Sequence, residues 1–311
     1  MSKSLFPVDP VMTSIAIAFR NKRLIADQVL PYVPVGKSSF KYMKYNEADA
    51  FTVPNTLVGR KSSPNMVEFG GKEETESCSD YFLDDLVPQS DIDDAPEGVN
   101  LINNAVIGIM DLILLDREKR CANTVFNANN YASSNKETLS GSDQFDDETG
   151  SDPIKTISEA LDKVIVRPNV MVIGRKAFSV LARHPKICKA VHGNSGDSGI
   201  ATKQQIAELF ELEDIAVGEA FLNSAKKGQT MTLTRVWGNH IALICRDTPA
   251  VITNSKMTFG FTARFGNRLA GVMDDPKMGG RGSHLVRAGE SVKEVVTSNK
   301  LGYFLQNVIS A

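Results

Sequence analysis

The sequence is short of the residues that most often carry chemistry. Its 311 residues include four Cys, four His and one Trp, and aromatic residues make up 7%. Cys78, Cys121, Cys188 and Cys245 form no C-x-x-C pair, which excludes a zinc knuckle and a disulfide framework and predicts free thiols in a reducing compartment. No basic-then-apolar leader opens the chain, because Met1 to Asp9 is polar and Pro7 and Pro10 interrupt it, so the protein is expected to stay in the cytosol of the cell that makes it. The most apolar run, Ala105 to Leu115, is broken by Asp111 and falls far short of the roughly 20 residues of a membrane helix. No membrane partner is expected.

Motifs of catalysis are missing as well. There is no H-E-x-x-H, no G-x-S-x-G and no G-x-G-x-x-G after a strand, and Met278-Gly-Gly-Arg-Gly-Ser283 lacks the spacing of a phosphate-binding loop. Gly196-Asp197-Ser198-Gly199 matches the tetrapeptide around a chymotrypsin-like nucleophile, but Ile200 and Ala201 break the match and no oriented histidine base accompanies it. His184, Cys188 and His192 stand at i, i+4 and i+8, a spacing that could present zinc ligands on one helix face. Pro185, however, places His184 ahead of the helix instead of on it, leaving a buried Cys188. No catalytic, cofactor-binding or metal-ligating residue is assigned, and no cofactor is expected.

What is present is an ordinary globular composition, 42% hydrophobic and 23% charged, in a chain of 33.9 kDa. That length can bury about three quarters of the unfolded surface and suggests about two domains. The net charge of −2 conceals two blocks. Residues 1 to 44 hold seven basic residues (Lys3, Arg20, Lys22, Arg23, Lys37, Lys41, Lys44) against Asp9 and Asp27. Residues 73 to 97 hold ten acids (Glu73, Glu74, Glu76, Asp80, Asp84, Asp85, Asp91, Asp93, Asp94, Glu97) and no base. Such blocks suit contact between surfaces of neighbouring copies, or serve as two solvated faces.

The first 96 residues read as extended. Val29 to Val35 carries Pro31 and Pro34, which forbids a helix and favours an edge strand. Ser39 to Tyr45 alternates as a half-exposed strand, and Met66 to Phe69 alternates again across a polar stretch with Arg60 and Lys61 at its tip. This is a two-stranded ribbon, too thin to be stable alone, so it needs something to lie on. Asp94 with Glu97 reads as a capping box, opening a helix of about 30 residues to Asn127 and about 45 Å long. Asn129 to Asp152 reads as a surface loop. An α/β stretch follows, with helices over Ile154 to Val164, Lys176 to Arg183, a segment ending near His192, and Lys203 to Leu212. Its strands are Asn169 to Ile173 and Asp214 to Val217. The last third reads as strands: Gln229 to Val236, His240 to Cys245, Met257 to Phe265, Val292 to Ser298 and Tyr303 to Ile309. No period of 20 to 50 residues repeats.

This order of elements, with Asp9-Pro-Val-Met-Thr13, Ala26-Asp-Gln-Val-Leu-Pro31, Ala182-Arg-His-Pro-Lys-Ile187, Thr202-Lys-Gln-Gln-Ile-Ala-Glu-Leu-Phe210 and Ile215-Ala-Val-Gly-Glu-Ala220, resembles the major capsid proteins of tailed double-stranded-DNA bacteriophages. The resemblance implies an α+β chain with the Hong Kong phage-type capsid fold. It implies an N-terminal arm (1–35), an extended β-ribbon loop (36–80), a peripheral domain with a long spine helix (81–170 and 246–275) and an axial α/β domain (171–245 and 276–311). The function implied is a non-enzymatic virion subunit that assembles as pentamers and hexamers, in the host cytoplasm, into an icosahedral shell around double-stranded DNA. Portal, scaffold and decoration proteins are the implied partners, and the chain begins at the arm, which suggests a separate scaffold or none. Some family members cross-link a loop Lys to a neighbour's Asn; Lys61 and Lys72 are available, but no pattern singles out an Asn. The expected intersubunit contacts are Arg60, Lys61, Lys72, Glu73, Glu74, Glu76, Asp84 and Asp85. An encapsulin-like shell around protein cargo and a soluble α/β enzyme are the alternatives.

Overall fold

The computed structural model describes residues 6–45, 51–66, 71–193, 199–226, 228–247 and 258–310. The chain opens with helices α1 (Pro10–Ala18) and α2 (Ala26–Val29) and strands β1 (Tyr32–Val35), β2 (Ser39–Tyr45), β3 (Gly71–Ser77) and β4 (Ser79–Pro88). Helices α3 (Gln89–Asp93) and α4 (Leu101–Val125) lead to β5 (Lys136–Thr138), α5 (Pro153–Asp162), β6 (Val170–Gly174), α6 (Arg175–Arg183), α7 (Pro185–His192) and α8 (Lys203–Leu209). The rest is strand: β7 (Asp214–Gly218), β8 (Phe221–Asn223), β9 (Leu233–Arg235), β10 (Ile241–Ile244), β11 (Gly260–Asp275), β12 (Ser283–Val296) and β13 (Gly302–Gln306).

Two sheets organise the molecule. One has the order β1-β11-β12-β4, the other β5-β13-β10-β6-β7. In the second, every residue of β6 and β10 is buried, as befits strands covered on both faces. One face packs Ile157, Leu161, Phe178, Leu181 and Ile206 of the surrounding helices, and the other packs Trp237, Phe304 and Tyr131. Gly218 is required there, since a Cβ on it would lie 2.1 Å from the Trp237 ring. Helix α4 spans both sheets. Its first half (Val106, Ile109, Met110, Ile113) packs on β4, β11 and β12, and its second half (Cys121, Ala122, Val125) on the Trp237 cluster. At 25 residues it is about 37 Å long.

Several expectations need correction. The first 96 residues are not all extended: α1 is capped by Asp9, whose carboxylate accepts from the Val11 and Met12 amides at 2.7 and 3.1 Å, and Pro10 fills N1 where its missing N–H costs nothing. The long helix starts at Leu101 with Asn100 as N-cap, not at the Asp94 capping box, because Asp94 ends α3. The partner of β2 is Gly71–Ser77, later than Met66 to Phe69, of which residues 67–69 lie outside the described residues. The 129–152 loop is anchored by buried Tyr131, Leu139 and Phe145 and contributes β5. Residues 276–311 do not stay with the α/β segment as one unit. The Gly-rich stretch near 278–283 is the turn of a long hairpin, which commits β12 to pair with β11 in the four-stranded sheet, while β13 joins the five-stranded one. Helix α5, numbered with the long helix in the expected division, packs its Ile157 and Leu161 in the five-stranded core.

His184 caps α7 through Nδ1, which accepts from the Lys186 amide at 3.3 Å, and its Nε2 meets the Ser151 hydroxyl at 3.1 Å. Both ring nitrogens are thus engaged in structure, and Cys188 is buried beneath the helix. No metal-holding cluster of His, Cys, Asp and Glu occurs among the described residues. Of the Gly196 to Gly199 tetrapeptide, residues 196–198 lie outside them.

Candidate intersubunit interface

The N-terminal arm is fastened to its own chain from inside. Glu118 of α4, fully buried, accepts hydrogen bonds from the Ile25 and Ala26 amides at 3.0 and 2.8 Å and from Trp237 Nε1 at 2.6 Å. Burial raises its carboxyl above the usual range while these donors pull the other way. Neighbouring Arg117 pairs with Asp27, donates to the Leu30 carbonyl at 3.0 Å and lies 3.8 Å over the Tyr32 ring. A bulge in β11 sets three residues, 266–268, opposite Glu290 and turns Arg268 inward. Arg268 then donates to Glu290 at 3.0 Å and to the carbonyls of Ala16 and Phe19 at 3.2 and 3.1 Å. The Tyr32 hydroxyl donates to Glu290 at 2.9 Å, and burial pushes this phenol up to about 12. Sequence reading missed these four charged residues, although the adjacent Arg117-Glu118 on the buried side of a long helix was a usable signal.

The ribbon is different. Its base lies on the four-stranded sheet: Phe40 and Tyr42 are buried, and the Tyr42 ring meets Phe261 edge-on at 6.3 Å. Beyond it, every residue of 51–66 is exposed, including Phe51, Val53 (87%), Leu57 (84%) and Met66 (98%). Arg60 and Lys61 form the middle of a turn in which the Ser62 amide donates to the Gly59 carbonyl at 3.0 Å. Neither has a carboxylate partner among the described residues.

The acidic block divides in two. Glu73 pairs with Lys41 at 2.6 Å, Glu74 with Lys44 at 3.7 Å and Lys72 at 4.0 Å, and Glu76 with Lys293 at 3.4 Å. A hydrogen bond from the Tyr42 hydroxyl holds Glu74 below the usual carboxylate range. Asp84 takes a two-pronged contact from Arg287 at 2.6 Å and is lowered by it. Asp93 pairs with Arg281 at 3.0 Å. Asp85, Asp91, Asp94 and Glu97 are exposed and have no cation among the described residues. Of the expected contacts, then, Lys72, Glu73, Glu74, Glu76 and Asp84 are held within the chain, while Arg60, Lys61 and Asp85 are open.

The chain as a whole exposes 17,576 Å². A globular monomer of 33.9 kDa exposes about 12,800 Å². An excess of that size, with residues 51–66 exposed throughout, suits a subunit whose burial is completed by other subunits, as in a protein shell. A family model described as phage major capsid protein E matches residues 100–252. The major capsid protein of Pseudomonas phage JBD67 is 53% identical over all 311 residues and the whole of both chains, and that of Burkholderia phage BcepMu is 32% identical over 245 residues, 76% of this chain and 75% of the other. This chain belongs to the phage major capsid protein family.

Solved structures agree in fold. A phage-related protein from Bordetella bronchiseptica RB50 has a TM-score of 0.78 at 23% identity, with 99% of this chain and all of the other covered. The capsid of cyanophage P-SCSP1u has a TM-score of 0.58 at 10% identity, covering 93% and 89%. An encapsulin from Synechococcus elongatus PCC 7942 reaches 0.54 at 12%, covering 98% of each chain. The fold is the Hong Kong phage-type capsid fold, and fold alone does not separate capsids from encapsulins; the 53% identity to a phage major capsid protein over its full length does. The protein is a structural component of the virion.

Proposed function

We propose that this major capsid protein assembles as pentamers and hexamers, in the host cytoplasm, into an icosahedral shell around double-stranded DNA. The observation that carries the reading is the 53% identity over the full length of a phage major capsid protein. In this reading the five-stranded sheet and its helices form the axial domain around each capsomer. The four-stranded sheet with α4, including β12, forms the peripheral domain. Residues 1–35 form the arm and 36–80 the extended loop that reaches a neighbour. DNA contact is non-specific, and the portal and any scaffold or decoration protein bind the assembled lattice.

The test is expression of the full chain, negative-stain imaging and analysis of particle contents. Closed particles support the reading, with DNA packaged when the chain is made during phage growth. A monomer or dimer with enzymatic turnover refutes it. Particles holding protein cargo and no DNA favour the encapsulin function that the shared fold also serves.

A further inference from the structure

The basic block of residues 1 to 44 is only partly spent inside the chain. Lys41 and Lys44 pair with Glu73 and Glu74. Arg20, Lys22 and Arg23, at the corner between α1 and α2, are exposed and have no carboxylate partner among the described residues, and no acid occurs in residues 10–26. The corner is a built support. The Leu24 amide donates to the Asn21 carbonyl at 3.2 Å, closing a turn with Lys22 and Arg23 at its tip. The Asn21 side chain locks that turn and fastens it to the body: Oδ1 accepts from the Arg23 amide at 3.0 Å, and Nδ2 donates to Asp111 of α4 at 2.6 Å. Arg20 donates through Nη1 to the carbonyls of Ile17 and Phe19 at 2.9 and 3.1 Å, which fixes its guanidinium at the end of α1 and leaves its other N–H groups without an acceptor among the described residues. Behind the turn, Ile25 and Ala26 are tied to buried Glu118. Lys119, about 12 Å further along the α4 axis from Asp111, adds a fourth exposed cation with no carboxylate partner among the described residues.

We infer that this corner is the contact of the subunit with the phosphate backbone of duplex DNA, and that the α1–α2 side of each subunit faces the lumen of the shell. Residues 20–23 are Arg, Asn, Lys and Arg, without the apolar side chain that forms the centre of a protein interface. A duplex, by contrast, offers about one negative charge per 1.7 Å of its axis, and each phosphate neutralised releases counterions, so fixed cations alone bind it without reading a base. Because the turn is held by Asn21 and the buried Glu118, little chain entropy is lost when a phosphate arrives. The inference rests on the reading of the protein as a shell around DNA and names the surface that meets the DNA.

The experiment measures binding of a labelled 20-base-pair duplex to unassembled full-length subunits by fluorescence anisotropy across a salt series from 50 to 200 mM. Lys22→Gln with Arg23→Gln should flatten the slope of log affinity against log salt by about 1.8, and adding Arg20→Gln should bring the change to about 2.7. The triple variant should bind at least ten-fold more weakly at 50 mM salt. The double variant keeps the Arg20 contacts at the end of α1, so it decides the matter if the triple variant unfolds by circular dichroism. No binding by the unsubstituted chain, or an unchanged slope in the folded double variant, overturns the inference. An equal change from Arg60→Gln with Lys61→Gln reduces the effect to net charge and also overturns it. Shells of the double variant formed without DNA should match the unsubstituted yield; a ten-fold loss makes the corner a contact between copies and overturns the DNA assignment. In DNA-filled particles, formaldehyde should join Lys22 to DNA at least ten times more often than Lys61, and the reverse order overturns the lumenal placement. Absence of any particles from the unsubstituted chain is the separate result that overturns the shell reading itself.

Discussion

The buried charge cluster around Tyr32 and the exposed turn at Arg60-Lys61 solve opposite problems with the same residue types. In the first, two carboxylates and two guanidiniums are out of water, and each is surrounded by donors or acceptors of its own chain. In the second, two cations stand in water with no partner among the described residues. A buried charge without a partner costs several kcal/mol, whereas a solvated one costs almost nothing until something docks on it. The first cluster therefore specifies the subunit's own fold and fixes its arm. The second is free to specify how copies meet.

Replacing Glu118 should break the comparison at its strong end. Glu118→Ala leaves the Ile25 and Ala26 amides and Trp237 Nε1 without their acceptor, and a loss of about 3–5 kcal/mol is expected in denaturant unfolding of unassembled subunits. Next comes Arg268→Met, which leaves Glu290 with the Tyr32 hydroxyl but no counter-charge, removes the donor to the carbonyls of Ala16 and Phe19, and should cost about 3 kcal/mol. Adding Glu290→Leu should recover part of it, because an apolar pair needs no desolvated charge; no recovery means that the arm contacts dominate. Trp237→Phe removes one hydrogen bond to a charged acceptor and should lose about 1.5–3 kcal/mol by the same measurement. At the weak end, Arg60→Ala with Lys61→Ala should change subunit stability by less than about 0.5 kcal/mol, yet make particle yield more sensitive to salt.

A pH series sharpens the same contrast within the interior. Burial, aided by the nearby Lys186 charge, lowers the His184 pKa below its usual 6.5, so the folded chain holds this ring neutral. The unfolded chain takes up the proton first. Stability from this site is therefore complete above about pH 6.5 and is lost as pH falls through that value toward the lower folded one. The denaturation midpoint should drop between pH 7 and 5, and His184→Gln should flatten that drop; an unchanged slope removes His184 from the account.

Elements whose signal is local were legible without the fold. The alternation of Ser39 to Tyr45, Pro34 of the edge strand and the apolar stretches of β6 and β10 all gave strands where strands stand, although Val29, read with that edge strand, ends α2. Helix α1 was missed because the opening was read as extended along with the proline-bearing and alternating segments that follow it, although Asp9-Pro10 is a sound start signal. The start of α4 was displaced because Asp94 and Glu97 fit a capping pattern that an adjacent short helix had already used. Charge counting located the acidic block but not which acids are spent on Lys41, Lys44, Lys293 and Arg287, since those partners come from distant strands.

The sequence by itself determined the class of element along most of the chain, the absence of familiar catalytic motifs, and the family likeness, because each is carried by neighbouring residues. Only the tertiary structure decided which charges are interior and which are open. That outcome depends on strand register, on a bulge that turns Arg268 inward, and on a helix that carries Arg117 and Glu118 beneath the arm. Burial and pairing arise between residues up to 258 positions apart, as with Tyr32 and Glu290, and no local pattern encodes them.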